Sequence, residues 1–241
     1  MITLLKHFQT NGNKSLTVLL LLIAGLLQAT AQTNNQYPIK LRVASYNIRH
    51  GLGLDGKLDF QRIGTLLEKL DADVVAIQEI DSATTRAEGS YSLGQIAEQS
   101  PYYATYGPSI DFQGGKYGIG ILSKKRPINI KRIPLPGRSE ARLLLVAEFN
   151  DYVFACTHLS LDEDERLASV PIIEREAENY SKPFLIAGDW NDSPDSKLLQ
   201  AIGKKFQICT RIDTGTFPAN KPEECIDYIA VIGHMPTNRP L

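Results

Sequence analysis

Cysteine is scarce in this chain of 241 residues: there are three, alongside two methionines and a single tryptophan. So low and odd a count argues against a disulfide-framed scaffold, and no Cys/His spacing suits a zinc site. Cys156 falls inside an apolar run and reads as a small core residue. Cys209 and Cys225 flank a loop, so a bridge between them in an oxidising compartment stays open. Charge of one sign is lacking too: 26 Lys and Arg stand against 27 Asp and Glu, a formal net charge of −1. That balance gives no electrostatic footprint for tight nucleic-acid binding. Basic residues gather only at Lys124-Lys125-Arg126 and Lys131-Arg132, where a solvated strand edge and a local anion patch are both open readings. Gly114-Gly115-Lys116 lacks the upstream glycine and following Ser/Thr of a phosphate loop and reads as a turn. Repeats, low-complexity tracts and internal linkers are absent, which points to one domain.

No apolar run is long enough for a comfortable membrane span, which takes about 20 residues. The run Leu16–Leu27 follows Lys6 and Lys14 and precedes Ala29-Thr30-Ala31, the order of a secretory signal with a small-residue cleavage site. The sequence therefore predicts a signal peptide over 1–31, cleavage after Ala31, and a polar lead-in over 32–38 before a domain from 39 to 241. Cleavage would lower the basic residues from 26 to 24 against 27 acids, leaving −3, and would place the chain in the periplasm or outside the cell. No stable membrane span would remain.

What the sequence has in quantity is short strands that end on polar residues. Ile39–Tyr46 alternates and ends at Asn47. After a glycine-rich loop, Asp59 can cap a helix carrying Phe60, Ile63, Leu66, Leu67 and Leu70 at helical spacing. Val74–Ile77 is a continuous apolar strand that ends Gln78-Glu79. A short helix is expected over Ser92–Gln99, then strands over Tyr102–Tyr106 and Tyr117–Ser123. Arg142–Phe149 and Tyr152–Thr157 form a hairpin about Asn150-Asp151, and the second strand ends at His158. An amphipathic helix over 162–180 should kink or restart at Pro171. The apolar run Pro183–Ala187 stops at Gly188 and delivers Asp189 and Asn191. A helix over 196–204, a strand over Phe206–Ile212 and a last strand over Ile226–Ile232, with Asp227 near its start, complete the domain. Crossovers and hairpins together indicate a layered α/β fold with mixed sheets.

Asn47, Glu79, His158, Asp189, Asn191 and Asp227 all sit at strand ends and can converge on one rim. Carboxylates and amides with one imidazole and no cysteine suit a hard divalent cation, Mg²⁺ first, with Mn²⁺ or Ca²⁺ as alternatives. The chemistry this set fits is metal-assisted phosphoester hydrolysis. His50 reads as a loop histidine, with contact to substrate left open, and His234 as part of the proline-containing tail.

Ala44-Ser45-Tyr46-Asn47-Ile48, Gln78-Glu79-Ile80-Asp81, Tyr117–Ser123, Thr157-His158-Leu159, Gly188-Asp189-Trp190-Asn191 and Ile226-Asp227-Tyr228 resemble, in order, the motifs of the endonuclease/exonuclease/phosphatase family, of which pancreatic-type deoxyribonuclease is a member. The resemblance implies a four-layered α/β sandwich of two mixed β-sheets flanked by helices. It implies that Glu79 is the main metal ligand with Asn47 assisting, and that Asp189 and Asn191 position the attacking water and the phosphate. It also implies that His158 contacts a phosphoryl oxygen, charged or as a general acid, with Asp227 holding its ring. Tyr117 and Arg142 are candidate substrate contacts, with packing and a strand-edge charge as their plainer readings. The family's closing Ser-Asp-His motif and final strand are not found before Leu241, so the resemblance also implies impaired activity. Two further readings stay open: a non-catalytic relative that binds phosphorylated ligands or partners, and a shortened gene product. Substrate class and oligomeric state are not indicated.

Overall fold

The structure, a computed structural model, describes residues 40–232. The expected signal peptide, its cleavage site, the lead-in and the tail with His234 lie outside the described residues. Among the described residues ten strands and four α-helices follow one another: β1 (Val43–Asn47), α1 (Phe60–Leu70), β2 (Val74–Ser82), α2 (Ser92–Glu98), β3 (Tyr103–Phe112), β4 (Gly115–Ser123), β5 (Asn129–Leu135), β6 (Arg142–Glu148), β7 (Val153–His158), α3 (Glu163–Ala177), β8 (Phe184–Asp189), α4 (Lys197–Ile202), β9 (Gln207–Ile208) and β10 (Asp227–Ile232). The strands form a four-stranded sheet in the order β1-β2-β4-β3 and a six-stranded sheet in the order β5-β6-β7-β8-β10-β9. Both are mixed: β1/β2 and β7/β8 run parallel, and the other pairs antiparallel.

Period-two alternation builds the layers. On β6, β7, β8 and β10, one set (Leu144, Val146, Val153, Ala155, Phe184, Ile186, Tyr228, Ala230) packs with Val170 and Ile173 of α3 and Leu198 and Ile202 of α4. The intervening set (Leu143, Leu145, Phe154, Cys156, Leu185, Ala187, Val231) meets Val74, Ala76, Ile119 and Ile121 of the other sheet. Val75, Ile77 and Ile80 turn the opposite way, onto Ile63 and Leu67 of α1 and Leu93 and Ile96 of α2. The result is helix–sheet–sheet–helix, and a strand buried on both faces must read as the continuous apolar run seen in sequence.

The helix and turn signals act as expected, with a few differences. Asp59 caps α1, its Oδ1 accepting the Arg62 N–H at 2.8 Å. The α1 stripe is narrower than the spacing implies, since Leu66 and Leu70 are largely exposed. Pro171 neither ends nor restarts α3; it lies on the exposed face, where the Leu167 carbonyl that it leaves without a donor can bind water. The strand expected over Phe206–Ile212 shrinks to two residues. β3 runs on past Tyr106 to a hairpin whose Gln113-Gly114 turn has positive φ at both positions, as a two-residue turn of this kind requires. All three cysteines are free. Cys225 packs on the helix side of the six-stranded sheet and Cys209 on the inter-sheet side, so the strand layer separates them.

The basic cluster also dissolves on folding. Lys124 pairs with Asp71 at 2.5 Å, Lys125 with Asp151 at 3.5 Å and Lys131 with Glu176 at 2.7 Å, while Arg126 stacks on Tyr103. Arg132 donates to the Tyr106 carbonyl at 2.6 Å, so the edge strand β5 sends Lys131 and Arg132 to opposite faces.

Candidate active site

Five strands deliver side chains to one rim. In the six-stranded sheet His158, Asp189 and Asp227 are register neighbours: β7 and β8 end where the antiparallel β10 begins, with His158 opposite Asp189 and Asp189 opposite Asp227. Gly188 permits that approach, because a Cβ there would collide with the Thr157 carbonyl of β7. In the other sheet Asn47 closes β1 and pairs in register with Gln78. β2 then carries a bulge: Ile77 faces Gly120 and Ile80 faces Gly118, so Gln78 and Glu79 together oppose a single residue. Glu79 takes a left-handed φ of 61° there, which separates the buried Gln78 from a Glu79 that reaches the cleft.

Asn47 joins the two sheets. Its Nδ2 donates to Glu79 Oε1 at 2.8 Å and to Asp189 Oδ2 at 3.0 Å, and its Oδ1 accepts the Arg49 N–H at 3.0 Å. Asp189 Oδ1 accepts the Asn191 N–H at 3.0 Å. Ile226 N–H and Asp227 N–H both donate to the Thr216 hydroxyl, at 3.1 and 3.3 Å. The turn after β8 is anchored below the rim. Trp190 is fully buried against Tyr228, with ring centroids 5.0 Å apart, and Arg166 Nε holds Asp192 at 2.9 Å while Nη1 holds the Ser160 carbonyl at 3.0 Å.

The electrostatics are those of crowded acids. Burial and then the charge of Asp227 push the Asp189 carboxyl up to about 6, against the pull of the Asn47 and Asn191 donors. Burial raises Asp227 as well, and the Thr216 hydroxyl offsets part of that rise. Among the described residues no lysine or arginine pairs with Glu79, Asp189 or Asp227. Asp227 Oδ1 is buried with no hydrogen-bond partner. Burial and the Arg142 charge hold His158 down to about 3, so the ring is neutral at ordinary pH. Its Nε2 lies 3.8 Å from Asp189 Oδ2, a polar contact too long for a hydrogen bond. The nearest acid to this imidazole is thus Asp189, where the family resemblance implied Asp227, and the charged form of His158 is disfavoured by its burial.

Of the eight sequence-derived site residues, Asn47, Glu79, Asp189 and Asp227 line a cleft of about 1030 Å³. His158, Asn191, Tyr117 and Arg142 are not among its lining residues: His158 and Arg142 are buried, and Asn191 and Tyr117 are half-buried. Asn191 spends its Nδ2 on the Leu159 carbonyl at 2.9 Å. Arg142 is buried, pairs with Glu140 at 2.9 Å and leaves Nε without a partner. Tyr117 is raised above the ordinary tyrosine range, first by burial and then by the Glu79 and Glu140 charges. Arg49, His50, Arg86 and the loop with Thr216 and Phe217 also line the cleft, and the sequence reading assigned none of them to it. Only Arg86 had a usable signal: Asp81 lies in a buried strand and demands a nearby cation.

Among the described residues no three His, Cys, Asp or Glu side chains stand close enough to hold a metal ion between them. The donor chemistry nevertheless fits a hard cation. Acids without counter-ions, an orphaned carboxylate oxygen and two carboxyls with raised pKa all favour added positive charge. Magnesium is typically held by one or two carboxylates, with water and phosphate supplying the rest, so a full protein cage is not required.

Over residues 44–231 the sequence matches the model of the Endonuclease/Exonuclease/phosphatase family. Solved structures share the fold. An endonuclease/exonuclease/phosphatase from Beutenbergia cavernae is 18% identical with a TM-score of 0.63, over 80% of this chain and 64% of that one. One from Bacteroides vulgatus is 18% identical with a TM-score of 0.64, over 80% of this chain and 87% of that one. A mannosyl-6-phosphatase from Bacteroides thetaiotaomicron is 17% identical with a TM-score of 0.62, over 80% and 85%. This chain therefore spans less than two thirds of the Beutenbergia protein. No curated protein matches the sequence. At these identities the structural likeness establishes the fold alone.

Proposed function

Because the chain belongs to the endonuclease/exonuclease/phosphatase family, whose members are phosphoester hydrolases, we propose that its cleft hydrolyses phosphoesters with the help of a bound divalent cation. The observation that carries this reading is the uncompensated acidity of the rim: Asp189 pushed up to about 6 beside an Asp227 whose Oδ1 has no partner. Glu79 and the Asn47 carbonyl are the residues that would hold the cation. That oxygen already accepts the Arg49 N–H, and its second lone pair is the one available. A bound Mg²⁺ would supply charge stabilisation at a phosphoryl oxygen and favour hydroxide over water.

The chain's own groups have definable tasks. Ionised Asp189 is the base placed to orient a water and take its proton; its raised pKa brings it nearer the range where that transfer is efficient. The Asn191 N–H and the Asn47 Nδ2 fix the carboxylate plane, so the proton-accepting oxygen is positioned before substrate arrives. Neutral His158 adds a polar wall behind Asp189. The phosphatase among the structural neighbours is consistent with this class of chemistry, without defining the substrate.

The test is hydrolysis of para-nitrophenyl phosphate and bis(para-nitrophenyl) phosphate with Mg²⁺, with and without chelator, in wild type and Asp189→Ala. Turnover that is lost to chelator and falls by about 10²–10⁴-fold in the variant is expected. Turnover indifferent to both would reject the proposal. A second reading, binding without turnover, is favoured by His158, which is buried, held neutral and not among the residues lining the cleft. Phosphate binding in a chain that hydrolyses neither ester would select it. We propose in addition that the protein is exported; N-terminal sequencing of the mature protein should begin at Gln32, and an intact Met1 in the fractionated protein would reject export by cleavage.

A further inference from the structure

Asp81 lies two residues beyond Glu79 on β2 and is fully buried. Arg86 grips its carboxylate with both prongs, Nε to Oδ2 at 2.6 Å and Nη2 to Oδ1 at 3.0 Å, and the Thr84 hydroxyl adds a bond of 2.9 Å. The turn that carries Arg86 is pinned by the tip of the β3–β4 hairpin. There the Gln113 side chain accepts the Arg86 N–H at 3.0 Å, and its carbonyl accepts the Thr85 N–H at 3.0 Å. The guanidinium also rests 4.5 Å from the Phe112 ring centroid and 5.3 Å from that of Tyr117.

A cation serving only to neutralise Asp81 would gain most by being buried with it. Arg86 instead keeps 29% of its side chain exposed, against 0% for Asp81. It lines the same cleft as Glu79 and Asp189. Two of its five side-chain N–H groups are committed to Asp81, and Nη1 donates to no described residue. Held in plane by Asp81 and covered by two rings, the group has little rotamer freedom left to lose when an anion arrives, which is the condition for strong recognition. The other cations of the cleft are differently placed. Arg62 is spent on Asp55 at 2.9 Å, the Arg49 side chain is exposed and has no ion pair among the described residues, and His50 is held toward its neutral form by burial and by Arg86.

The cleft therefore carries both signs of charge, with Glu79, Asp189 and Asp227 on its lining beside one fixed guanidinium, that of Arg86. A phosphodiester offers such a cleft one negative charge and a second organic substituent; a phosphomonoester offers a second charge. Resting on the phosphoesterase reading, we propose that Arg86 is a specificity residue that binds the second negative charge of a phosphomonoester and so favours monoesters over diesters.

Arg86→Gln alone would strand Asp81 without its cation, so the informative variant is Asp81→Asn/Arg86→Gln, which removes both charges, with Arg86→Lys beside it. For para-nitrophenyl phosphate, kcat/KM should fall by about 10- to 100-fold, carried mainly by KM, as loss of a charged hydrogen bond implies. For bis(para-nitrophenyl) phosphate it should change little. Arg86→Lys should recover only part of the monoester rate, because the ammonium cannot reproduce the fixed fork. Equal losses on both esters, or no loss on either, in a double variant that melts near the wild-type temperature would overturn the proposal and leave Arg86 as the partner of Asp81. Should wild type turn over neither ester, the phosphoesterase reading fails separately, and calorimetric binding of inorganic phosphate decides for Arg86. Binding lost in the double variant sustains its anion role, and binding that is unchanged or absent overturns it.

Discussion

Asp81 and Asp189 are both buried aspartates at the cleft end of their sheets, and they meet the cost of burial in opposite ways. Asp81 is neutralised within the protein by a two-pronged arginine and a threonine hydroxyl. Asp189 receives an amide and a backbone N–H but no cation, and a second acid, Asp227, stands across the strand pair. In the first arrangement the charge of the carboxylate is met within the protein. The second is left short of positive charge, which costs stability and is what a cation-binding, proton-accepting site requires. Counting acids would rank the two corners alike; tracing each carboxylate's partners separates them.

Breaking the Asp81 corner should have the largest effect on stability. Asp81→Ala leaves Arg86 half-buried without its partner and should lower the unfolding free energy by about 3–5 kcal/mol in denaturant titrations. A loss below about 1 kcal/mol would mean that the pair is no better than a surface bridge.

The Asp189 corner should respond with the opposite sign. Its folded pKa, about 6, lies above the ordinary 3.8, so its contribution is fully present below about 3.8 and is lost as pH rises through about 6. Asp189→Asn should therefore stabilise the protein at pH 7 and above, by on the order of 2–3 kcal/mol without added metal, and bring no gain at pH 3.5. Stabilisation that is the same at both pH values would show that ionisation is not its cause.

A smaller effect is expected behind the same corner. His158 is held near 3, below its ordinary 6.5, so its contribution is present at neutral pH and drains away as pH falls from about 6.5 toward 3. His158→Gln should flatten that part of the acid-unfolding curve. An unchanged acid limb would mean that the ring is already charged in the folded protein.

The same contrast explains what the sequence disclosed. Strands buried on both faces, β2, β6, β7, β8 and β10, were legible because they must be apolar throughout, and their polar ends marked the rim. The Asp59 cap and the Asn150-Asp151 hairpin were legible because they are local. β5 was legible only as a solvated strand edge, since an edge strand sends alternate charged residues to partners on different layers. The bulge that turns Glu79 into the cleft was hidden, because it is a property of register against β4 and not of β2 itself. Asp81 signals the need for a cation such as Arg86, but the orientation of that guanidinium was hidden for a related reason: it depends on Phe112, Gln113 and Tyr117, which the fold brings in from well beyond its own turn. Asn47, Glu79, Asp189 and Asp227 do line one cleft, but spacing could not say that Asn47 would bridge two carboxylates or that Asn191 would turn its amide toward Leu159.

An acid rim built to receive a cation should release protons when Mg²⁺ is added to the full chain near pH 6. Calorimetry in buffers of different ionisation enthalpy reads that release without any substrate. With Asp189 titrating at about 6 in the metal-free protein, Mg²⁺ binding should expel a substantial fraction of a proton per chain, and Asp189→Asn should expel markedly less. Absence of Mg²⁺ binding in the wild type, or binding with the same proton count in both proteins, would show that the Asp189 rim is not a cation site.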